Sequence, residues 1–190
     1  VEKVAPLFSL DQTDFEAILA SDHLNLEETA GRSDRGQTQA AIDAIVAADR
    51  VLICAVDQMA FFGSYLRHLL LLLDIRAEIV ASASQESLAR LARMDENTLV
   101  IALSAGRPHP LMNRAMKHAR QCKATTLAIS DSTISEIAKL AQIRLYYSSN
   151  SPGYVRSHVA LLSTIQGLAN AVYSRNEALY EDRIKAYRLT

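Results

Sequence analysis

The sequence is poor in cysteine and has no long hydrophobic run. Cys54 and Cys122 are its two cysteines, and neither has a second cysteine or a histidine at ligand spacing. We interpret both as small core residues of a reduced compartment, which favours a cytoplasmic location. The longest aliphatic run, Leu69–Leu73, is far shorter than the roughly 20 residues of a membrane span, and the N-terminus lacks a signal peptide's charged and apolar regions. We expect a soluble chain with no membrane partner.

An excess of charge of one sign is also missing. The 190 residues include 20 lysines and arginines against 21 aspartates and glutamates, spread along the chain, so the formal net charge is -1. This pattern excludes both the basic patch of a nucleic-acid-binding surface and the acidic tail of a protein with a charged partner. The sequence begins at Val1 rather than at a methionine, which indicates a processed chain or an excised piece of a longer protein.

Short apolar runs alternate with stretches in which apolar residues have helical spacing. The runs are Val51–Val56, Ala77–Val80, Thr98–Leu103, Thr125–Ile129 and Ile143–Tyr147. They are apolar continuously rather than alternately, as strands of a parallel sheet buried on both faces require. Strands that alternate with helices predict right-handed crossovers, and therefore an α/β three-layer sandwich with a doubly wound, five-stranded parallel sheet. The length fits one such domain.

Helix signals agree with this architecture. The spacing of Thr133 and Glu136 predicts a capping box that opens a short helix through Leu140, and Ser84 is positioned to cap a helix that runs to about Met94. After the sheet, the spacing predicts a long amphipathic helix that packs on the sheet or on a second subunit. Its apolar residues recur every three or four positions, at Val155, Val159, Leu162, Ile165, Leu168 and Val172.

The residues before the first strand carry no strand pattern. One or two helices are indicated by Phe15, Ile18, Leu19, Leu24 and Leu26, and a further helix is indicated by the alanine-rich stretch 40–47. The segment "GRSDRG", residues 31–36, is the best candidate for a loop between them. We therefore divide the chain into an N-terminal helical segment, residues 1–36, and an α/β domain with a long C-terminal helix, residues 37–190.

Open α/β sheets bind ligands at the carboxyl ends of their strands. Loops at this edge are "AVDQMA" after the first strand, "LSAGRPHP" after the third and "SDSTIS" after the fourth. The last of these places hydroxyls at a helix start, where backbone N–H groups suit a phosphate. Ser132 or Thr133 in it has the alternative role of a helix cap.

Two prolines stiffen the loop "LSAGRPHP", and neither donates an N–H. A residue before proline avoids the α region, so His109 is predicted to stay outside a helix that begins at Pro110. The remaining donors are Ser104, the backbone around Gly106, and the side chains of Arg107 and His109. Arg107 has the geometry to bind a carboxylate or a phosphate through two hydrogen bonds, or alternatively to pair with a carboxylate on the surface.

The strands and loops together resemble an SIS (sugar isomerase) domain, and more closely the effector-binding domain of RpiR-type transcriptional regulators. The resemblance covers roughly Gln37 to Arg175. It is most specific after the fourth strand, where the family commonly reads T-D-S-x-x-S-x-L-A-x-x-A-D. The matching residues here are Ser130, Asp131, Ser132, Ser135, Ala138 and Ala141, with serine for the threonine and Gln142 for the last aspartate.

The resemblance implies a sugar-phosphate pocket, which is an effector site in the regulators and an active site in the isomerases. The family holds the phosphate with an S-x-S-G-x-T loop after the third strand. Aligned on Gly106, this motif places Leu103, Ala105 and Pro108 where the family has hydroxyls. The usual phosphate-binding side chains are therefore missing from this loop, although Gly106 and Arg107 remain.

The loop after the first strand has changed as well. The family's G-x-G-x-S falls on residues 55–59, where both glycines and the serine are absent. Glycine allows a close approach of backbone to ligand, and Asp57 in this loop would repel a phosphate if ionised. The resemblance also brings the start of the last long helix to the pocket, so that Tyr154, Arg156, Ser157 and His158 line its mouth. A histidine at a helix start has the alternative role of packing or capping.

We therefore predict ligand-binding residues but no catalytic residue, metal site or cofactor. The sequence has no metal-ligand histidine spacing, nucleophile elbow or P-loop. An isomerase needs a positioned base, for which His109 and His158 are the candidates. The predicted ligand-binding residues are Asp57, Gln58, Ser104, Gly106, Arg107, His109, Ser130, Ser132, Ser157 and His158.

These observations favour the effector-sensing and oligomerisation domain of a transcriptional regulator, with its DNA-binding helix-turn-helix domain absent from this chain. We expect it to bind a sugar phosphate or a related anionic carbohydrate derivative, as a homodimer or homotetramer. The alternative function is that of a phosphosugar isomerase or related sugar-phosphate enzyme. A third possibility is a module that only dimerises.

Overall fold

The computed structural model describes residues 14–188. In chain order the elements are α1 (Asp14–Gly31), α2 (Arg35–Ala47), β1 (Arg50–Cys54), α3 (Met59–Leu72), β2 (Ala77–Val80), α4 (Gln85–Ala92), β3 (Thr98–Ser104), α5 (Pro110–Gln121), β4 (Thr125–Ser130), α6 (Glu136–Leu140), β5 (Ile143–Tyr146), α7 (Val159–Arg175) and α8 (Glu177–Arg188). A helix separates each strand from the next, as the alternating patterns predict.

The five strands form one parallel sheet in the order β2-β1-β3-β4-β5. One apolar core joins the sheet to α2, α3, α7 and α8, and a second core joins its other face to α4, α5 and α6. Along β3, Leu99, Ile101 and Leu103 enter the first core, whereas Val100 and Ala102 enter the second. A strand between two cores must be apolar throughout, because successive side chains point to opposite faces. The predicted three-layer, doubly wound fold is confirmed.

Two predicted helix starts are also confirmed. The hydroxyl of Ser84 accepts a hydrogen bond from the backbone N–H of Ser87 (3.2 Å) and caps α4. His109 stays outside α5, which begins at Pro110, and its Nδ1 accepts a hydrogen bond from the N–H of Leu111 (3.1 Å). This bond places the proton of the neutral imidazole on Nε2.

The predicted capping box at Thr133 and Glu136 is wrong. Helix α6 begins at Glu136 itself, and its cap is Ser135, whose hydroxyl accepts a hydrogen bond from the N–H of Ala138 (3.2 Å). A cap lies immediately before the first helical residue and bonds to an N–H two or three residues further on, which describes Ser135 and not Thr133. Thr133 is exposed in the preceding turn.

The last long helix begins later than predicted. Helix α7 starts at Val159, and Val155 lies in the loop before it with 55% of its surface exposed. The apolar face of α7 packs on the chain's own sheet and helices, through residues such as Ile165, Leu168 and Val172. The sequence predicted that this face packs on the sheet or on a second subunit, and the structure shows it packed on the sheet.

Residues 1–13 of the N-terminal segment lie outside the described part of the chain, and the apolar residues that predicted one or two helices all fall in one helix, α1. Two of the apolar residues that indicated it are largely exposed, Phe15 at 72% and Leu24 at 62%, whereas its buried residue is the polar Asn25. The loop predicted at residues 31–36 is shorter, because α2 already begins at Arg35. Leu26 of the same pattern packs against the first core, so the apolar residues located α1 but not its most buried residue.

The aliphatic run Leu69–Leu73 covers the end of α3 and the residue after it. Leu70 and Leu73 are buried in the first core, whereas Leu71 is exposed, so the run belongs to a helix that packs on the sheet. Among residues 14–188, no helix combines the length and the apolar character needed to cross a bilayer.

The two cysteines have different surroundings. Cys54 is buried at the end of β1, and burial raises the pKa of its thiol to about 12, so it stays protonated at neutral pH. Cys122 is half-buried after α5, with Sγ 3.6 Å from Nε2 of His118. The expectation that no histidine lies at ligand spacing is wrong here, because His118 lies one helical turn before Cys122. Within residues 14–188, no group of three potential metal ligands forms.

Gly63 marks a close approach of α3 to the sheet. A Cβ added to Gly63 would lie 2.6 Å from Cβ of Ala55, whereas a Cβ added to Gly167 in α7 would meet nothing within 4 Å. We expect Gly63→Ala to lower the free energy of unfolding by about 1–3 kcal/mol through overpacking. The control Gly167→Ala should raise it by about 0.5–1 kcal/mol, because alanine is the better helix former. Urea unfolding measures both changes, and a stabilising Gly63→Ala would contradict the packing described.

Candidate ligand-binding site at the carboxyl edge of the sheet

The strand order defines where a crevice forms. From β1 the chain crosses to β2 on one side, and it then places β3, β4 and β5 in succession on the other side. Open α/β sheets bind ligands where the order reverses, outside the carboxyl ends of the strands. The loops after β1 and β3 meet at this point, because Cys54 and Ala102 are neighbours in the sheet near those ends.

A buried carboxylate joins three loops at this edge. The side chain of Asp131, which follows β4, is only 2% exposed. Its Oδ1 accepts a hydrogen bond from the N–H of Gly106, after β3, at 2.8 Å. Its Oδ2 accepts hydrogen bonds from the hydroxyl of Ser149 at 2.7 Å and from Nη1 of Arg156 at 3.1 Å, both after β5. We call these four residues the Asp131 cluster. Its hydrogen bonds and ion pair compensate for removing the carboxylate from water.

The guanidinium of Arg156 lies beside Gly106. A Cβ added to Gly106 would be 3.5 Å from Nε and 3.7 Å from Nη2 of Arg156. Nη1 points inward and also donates to the hydroxyl of Ser149 (3.2 Å), while 57% of the Arg156 side chain is exposed. The arginine held against the loop after β3 therefore comes from the chain after β5, and it is not Arg107.

Tyr147 supports the same loop from within the first core. Its side chain is fully buried, and its hydroxyl donates a hydrogen bond to the carbonyl of Ser104 at 2.9 Å. Burial, with the charge of Asp131 adding to it, raises the pKa of Tyr147 far above its usual range, so the hydroxyl keeps its proton. Ser104 is itself buried, and its Oγ has no hydrogen-bond partner within residues 14–188. A buried hydroxyl without a partner costs about 1–3 kcal/mol.

Two loops of this edge contain left-handed backbone. Gly106 has a φ of 61°, and Asp57, after β1, has a φ of 56°. Asp57 occupies the position of the second glycine in the family's G-x-G-x-S loop. The backbone there keeps the left-handed conformation that glycine favours, although the residue is an aspartate. Aspartate is one of the few residues that tolerate this conformation, in which most side chains cost about 1–2 kcal/mol.

Four of the predicted ligand-binding residues, Ser104, Gly106, Ser130 and Ser132, lie close to Asp131. Ser104 and Ser130 are neighbours across β3 and β4. The hydroxyl of Ser130 donates to the carbonyl of Ser132 and accepts from its N–H, both at 3.2 Å. Because these bonds form the turn after β4, the hydroxyl of Ser130 has a structural role in this edge.

The other predicted residues are more scattered. Asp57, Gln58 and Arg107 are exposed, and within residues 14–188 no carboxylate lies at ion-pair distance from Arg107. His109 caps α5 with its Nδ1. Ser157 donates its hydroxyl hydrogen to the carboxylate of Asp22 in α1, so it faces α1 rather than the Asp131 cluster.

His158 lies immediately before α7 and packs its ring edge-on against Phe62, with the ring centroids 5.1 Å apart. Burial lowers the pKa of His158. The carboxylate of Asp131 opposes this shift and Arg156 adds to it. Its Nδ1 is buried without a hydrogen-bond partner within residues 14–188. The imidazole is therefore neutral at pH 7, and its Nδ1 is available for a hydrogen bond.

The chain after β5 is also attached to α1. We call residues 147–158 the post-β5 segment. Oδ1 of Asn25, a residue 1% exposed, accepts from the N–H of Asn150 (3.0 Å), and its Nδ2 donates to the carbonyl of Asn150 (2.6 Å). The hydroxyl of Ser148 is shared between Oδ1 of Asn25 (2.8 Å) and Oε2 of Glu28 (2.7 Å), and the second of these bonds is the main cause of a lowered pKa of Glu28. The post-β5 segment thus contacts both the Asp131 cluster and α1.

Two cavities open beside α1, and residues of the post-β5 segment line one of them. One, of about 740 Å³, lies beside β5, α7 and the turn between α1 and α2, and its lining includes Ser130 and Ser132. The other, of about 610 Å³, lies between α1 and residues 151–159, and its lining includes Arg156 and His158. Neither of the two is lined by Arg107.

The sequence did not identify Asp131 and Ser149 as site residues. Asp131 is visible in the sequence only as one letter of the family block, and Arg156 only as part of a predicted pocket mouth. The sequence around Asp131 does contain one signal of its role. Asp131 lies between two serines at the end of a strand, where several hydrogen-bond donors are within reach of its carboxylate. The contact of Asp131 with Arg156 spans 25 residues, and no local spacing predicts it.

The fold and this edge define the class of the protein, a doubly wound α/β domain with its candidate site at the carboxyl ends of the strands. A family model of the SIS domain matches residues 44–171. The chain therefore belongs to the SIS domain family, as its sequence motifs indicated. A search of the curated proteins found no match.

Solved structures with the same fold include regulators and an enzyme-like protein. The sugar isomerase domain of an RpiR transcription factor from Sphaerobacter thermophilus has a TM-score of 0.86 and 23% identity, over 91% of this chain and 97% of that one. Vibrio vulnificus NanR, complexed with ManNAc-6P, has a TM-score of 0.81 and 17% identity, over 92% and 67%. A Methanococcus jannaschii protein has a TM-score of 0.70 and 15% identity, over 90% of this chain and 97% of that one, and a 3-hexulose-6-phosphate isomerase function has been inferred from its structure. Identities this low show a shared fold.

The left-handed positions provide a matched pair of substitutions. We expect Gly106→Ala to lower the free energy of unfolding by about 1–2 kcal/mol, because alanine disfavours a positive φ. A clash is not the cause, since the new Cβ would be in ordinary contact with Arg156 at 3.5 Å. Asp57→Gly should raise the free energy of unfolding by about 0.5–1 kcal/mol, because glycine relieves the strain. Thermal unfolding measures both, and a neutral Gly106→Ala would show that the turn does not require glycine.

The lowered pKa of His158 makes stability depend on pH. Because the folded protein binds this proton less readily than the unfolded chain, the contribution to stability is complete above the ordinary pKa of 6.5. It is lost as the pH falls through 6.5 toward the lower pKa of the folded state. We expect the free energy of unfolding to fall over this range, and to fall less in His158→Gln. Urea unfolding at a series of pH values measures this, and superimposable profiles for the two proteins would refute a buried, neutral His158.

Proposed function

We propose that this chain is the effector-sensing and oligomerisation module of a transcriptional regulator. It binds a sugar phosphate or a related anionic carbohydrate derivative at the carboxyl edge of the sheet. A helix-turn-helix domain outside this sequence reads the DNA. Effector binding changes the relative arrangement of the subunits, and with it the spacing of the DNA-reading domains.

The observation that carries this proposal is the double attachment of the post-β5 segment. Ser149 and Arg156 bond to Asp131 in the candidate site, whereas Asn150 bonds to Asn25 in α1. A ligand that exchanges a bond with Arg156 therefore acts on the segment that holds α1. The bonds of Asn25 are buried and costly to leave unpaired, so a displacement of the segment is passed to α1. A sensor uses such a connection, whereas a chemical step does not require it.

The comparisons support the regulator over the enzyme without deciding between them. The RpiR and NanR structures belong to regulators, and NanR was solved with the sugar phosphate ManNAc-6P. The same fold occurs in a protein with an inferred isomerase function. Because fold alone does not determine function, the residues at the site must decide.

Phosphosugar isomerase is the second candidate, and His158 is the observation that favours it. A neutral imidazole with an unused Nδ1 is the kind of group that removes a proton from a sugar carbon. Incubation with aldose and ketose phosphates, followed by chromatography of the products, tests this function. We expect no interconversion, and turnover that disappears in His158→Gln would establish the enzyme instead.

Oligomerisation is the part of the proposal that rests on exposed apolar side chains. The apolar face of α7 does not support it, because that face is covered within the chain. Phe61 is 70% exposed and Tyr154 is fully exposed, and Phe15 in α1 is 72% exposed. Large apolar side chains on a surface are typical of interfaces. Sedimentation equilibrium of the chain tests for the dimer or tetramer.

Binding of the effector should raise the melting temperature of the protein. A ligand at about 100 times its Kd adds about 2.7 kcal/mol to the free energy of unfolding, and each kcal/mol raises Tm by about 2–4 °C for a chain of this size. We expect such shifts from members of a panel of sugar phosphates and sugar acids, measured by differential scanning fluorimetry. Neutral sugars of the same size are the matched control. A panel that produces no shift would favour a module that only dimerises.

A further inference from the structure

We propose that the cavity between α1 and residues 151–159 binds a carbohydrate that carries a carboxylate, and that Arg156 receives this carboxylate. This inference rests on the proposed function and deepens it, because it names the class of effector and the residue that binds its charged group. The cavity, of about 610 Å³, has a volume within the usual range of small-molecule sites.

Arg156 has donors that the protein does not use. Its Nη1 bonds to Asp131 and Ser149, but within residues 14–188 neither Nε nor Nη2 has a hydrogen-bond partner. Nε and Nη2 form the edge of the guanidinium that binds both oxygens of a carboxylate at once. With its side chain 57% exposed and Nη1 fixed by a buried carboxylate, Arg156 is both accessible and oriented.

The loop after β3 offers little to a phosphate. Leu103, Ala105 and Pro108 lack hydroxyls, and Pro108 lacks an N–H as well. The N–H of Gly106 is already bonded to Asp131 at 2.8 Å. A phosphate has three acceptor oxygens to satisfy, whereas a carboxylate has two, which the free edge of one arginine matches.

The charges around the cavity also favour a ligand with a single negative charge. Asp14 and Asp22 in α1 line the same cavity as Arg156, and Asp131 pairs with the guanidinium. A phosphate ester carries about -1.5 to -2 charges at neutral pH and is repelled more strongly by these carboxylates than a group with one charge. The two aspartates are acceptors, and the hydroxyls of a sugar are the donors that suit them. The lining therefore fits a polyhydroxylated monocarboxylate.

Isothermal titration calorimetry of the whole chain tests this inference with glucuronate, glucose 6-phosphate and glucose as probes. We expect wild type to bind glucuronate more tightly than either of the others. Arg156→Gln should weaken glucuronate binding by about tenfold or more, because it removes one charge-assisted bidentate pair. Arg114→Gln is the matched control, an exposed arginine of α5 that lines neither of the two cavities, and should change the affinity by less than about twofold.

Arg156→Lys covers the case in which Arg156→Gln does not fold. Lysine keeps a positive charge beside Asp131 but has no paired donors, so we expect the variant to fold and to bind glucuronate more weakly than wild type. Comparison of the ¹⁵N spectra assigns the Nε–H signal of Arg156, because this signal is present in wild type and missing from Arg156→Lys. The assigned signal should shift when glucuronate is added to wild type.

Three outcomes would overturn the inference. An Nε–H signal of Arg156 that stays unchanged while glucuronate binds would exclude the contact. An equal loss of affinity in Arg114→Gln would exclude the special role of Arg156. Tighter binding of glucose 6-phosphate, or no binding of glucuronate, would exclude the carboxylate class. If glucose 6-phosphate binds more tightly than glucuronate, this inference fails but the proposed function does not. The melting-temperature panel would then show stabilisation by a sugar-phosphate effector.

Discussion

The carboxylate of Asp131 holds together the edge of the sheet at which the candidate site lies. Its side chain is 2% exposed, and it bonds to Gly106 after β3 and to Ser149 and Arg156 after β5. Removing it would leave a backbone N–H, a hydroxyl and a guanidinium without their common partner. A buried charge is stable only with such partners, so the positions of the three loops depend on one another. Because the post-β5 segment also bonds to Asn25, the position of α1 depends on the same carboxylate.

The same interaction explains how this chain differs from the pattern of its family. The family motif places hydroxyls around the loop after β3, and this chain has Leu103, Ala105 and Pro108 there. In their place the structure has a positive group, Arg156, held by an internal negative group. The Asp131 cluster therefore offers the free donor edge of Arg156 rather than a ring of hydroxyls. In the proposed function, such a site selects its ligand by charge and shape, and a change at Arg156 is transmitted through the chain that supports α1.

Local patterns predicted the architecture well, but they did not show which side chains meet at the candidate site. All five strands, the cap at Ser84 and the start of α5 at Pro110 follow from residues that are neighbours in sequence. The errors were also local in origin. Thr133 and Ser135 are both plausible caps, and only the position where the chain enters the helix separates them. The apolar residue Val155 continues the period of α7 but lies before its first turn, because the post-β5 segment is held by bonds to α1 and Asp131.

By itself, the sequence determined the order of strands and helices, the parallel sheet with two buried faces, and the loss of hydroxyls from the loop after β3. These properties depend on residue type and on spacings of a few residues. Only the tertiary structure decided that Asp131 meets Arg156 across 25 residues and that Asn25 is the buried contact of α1. Hydrogen bonds between distant loops depend on where the completed sheet brings the ends of its strands. For this reason the sequence predicted the fold, whereas it did not predict the contact of Asp131 with Arg156 at the candidate site.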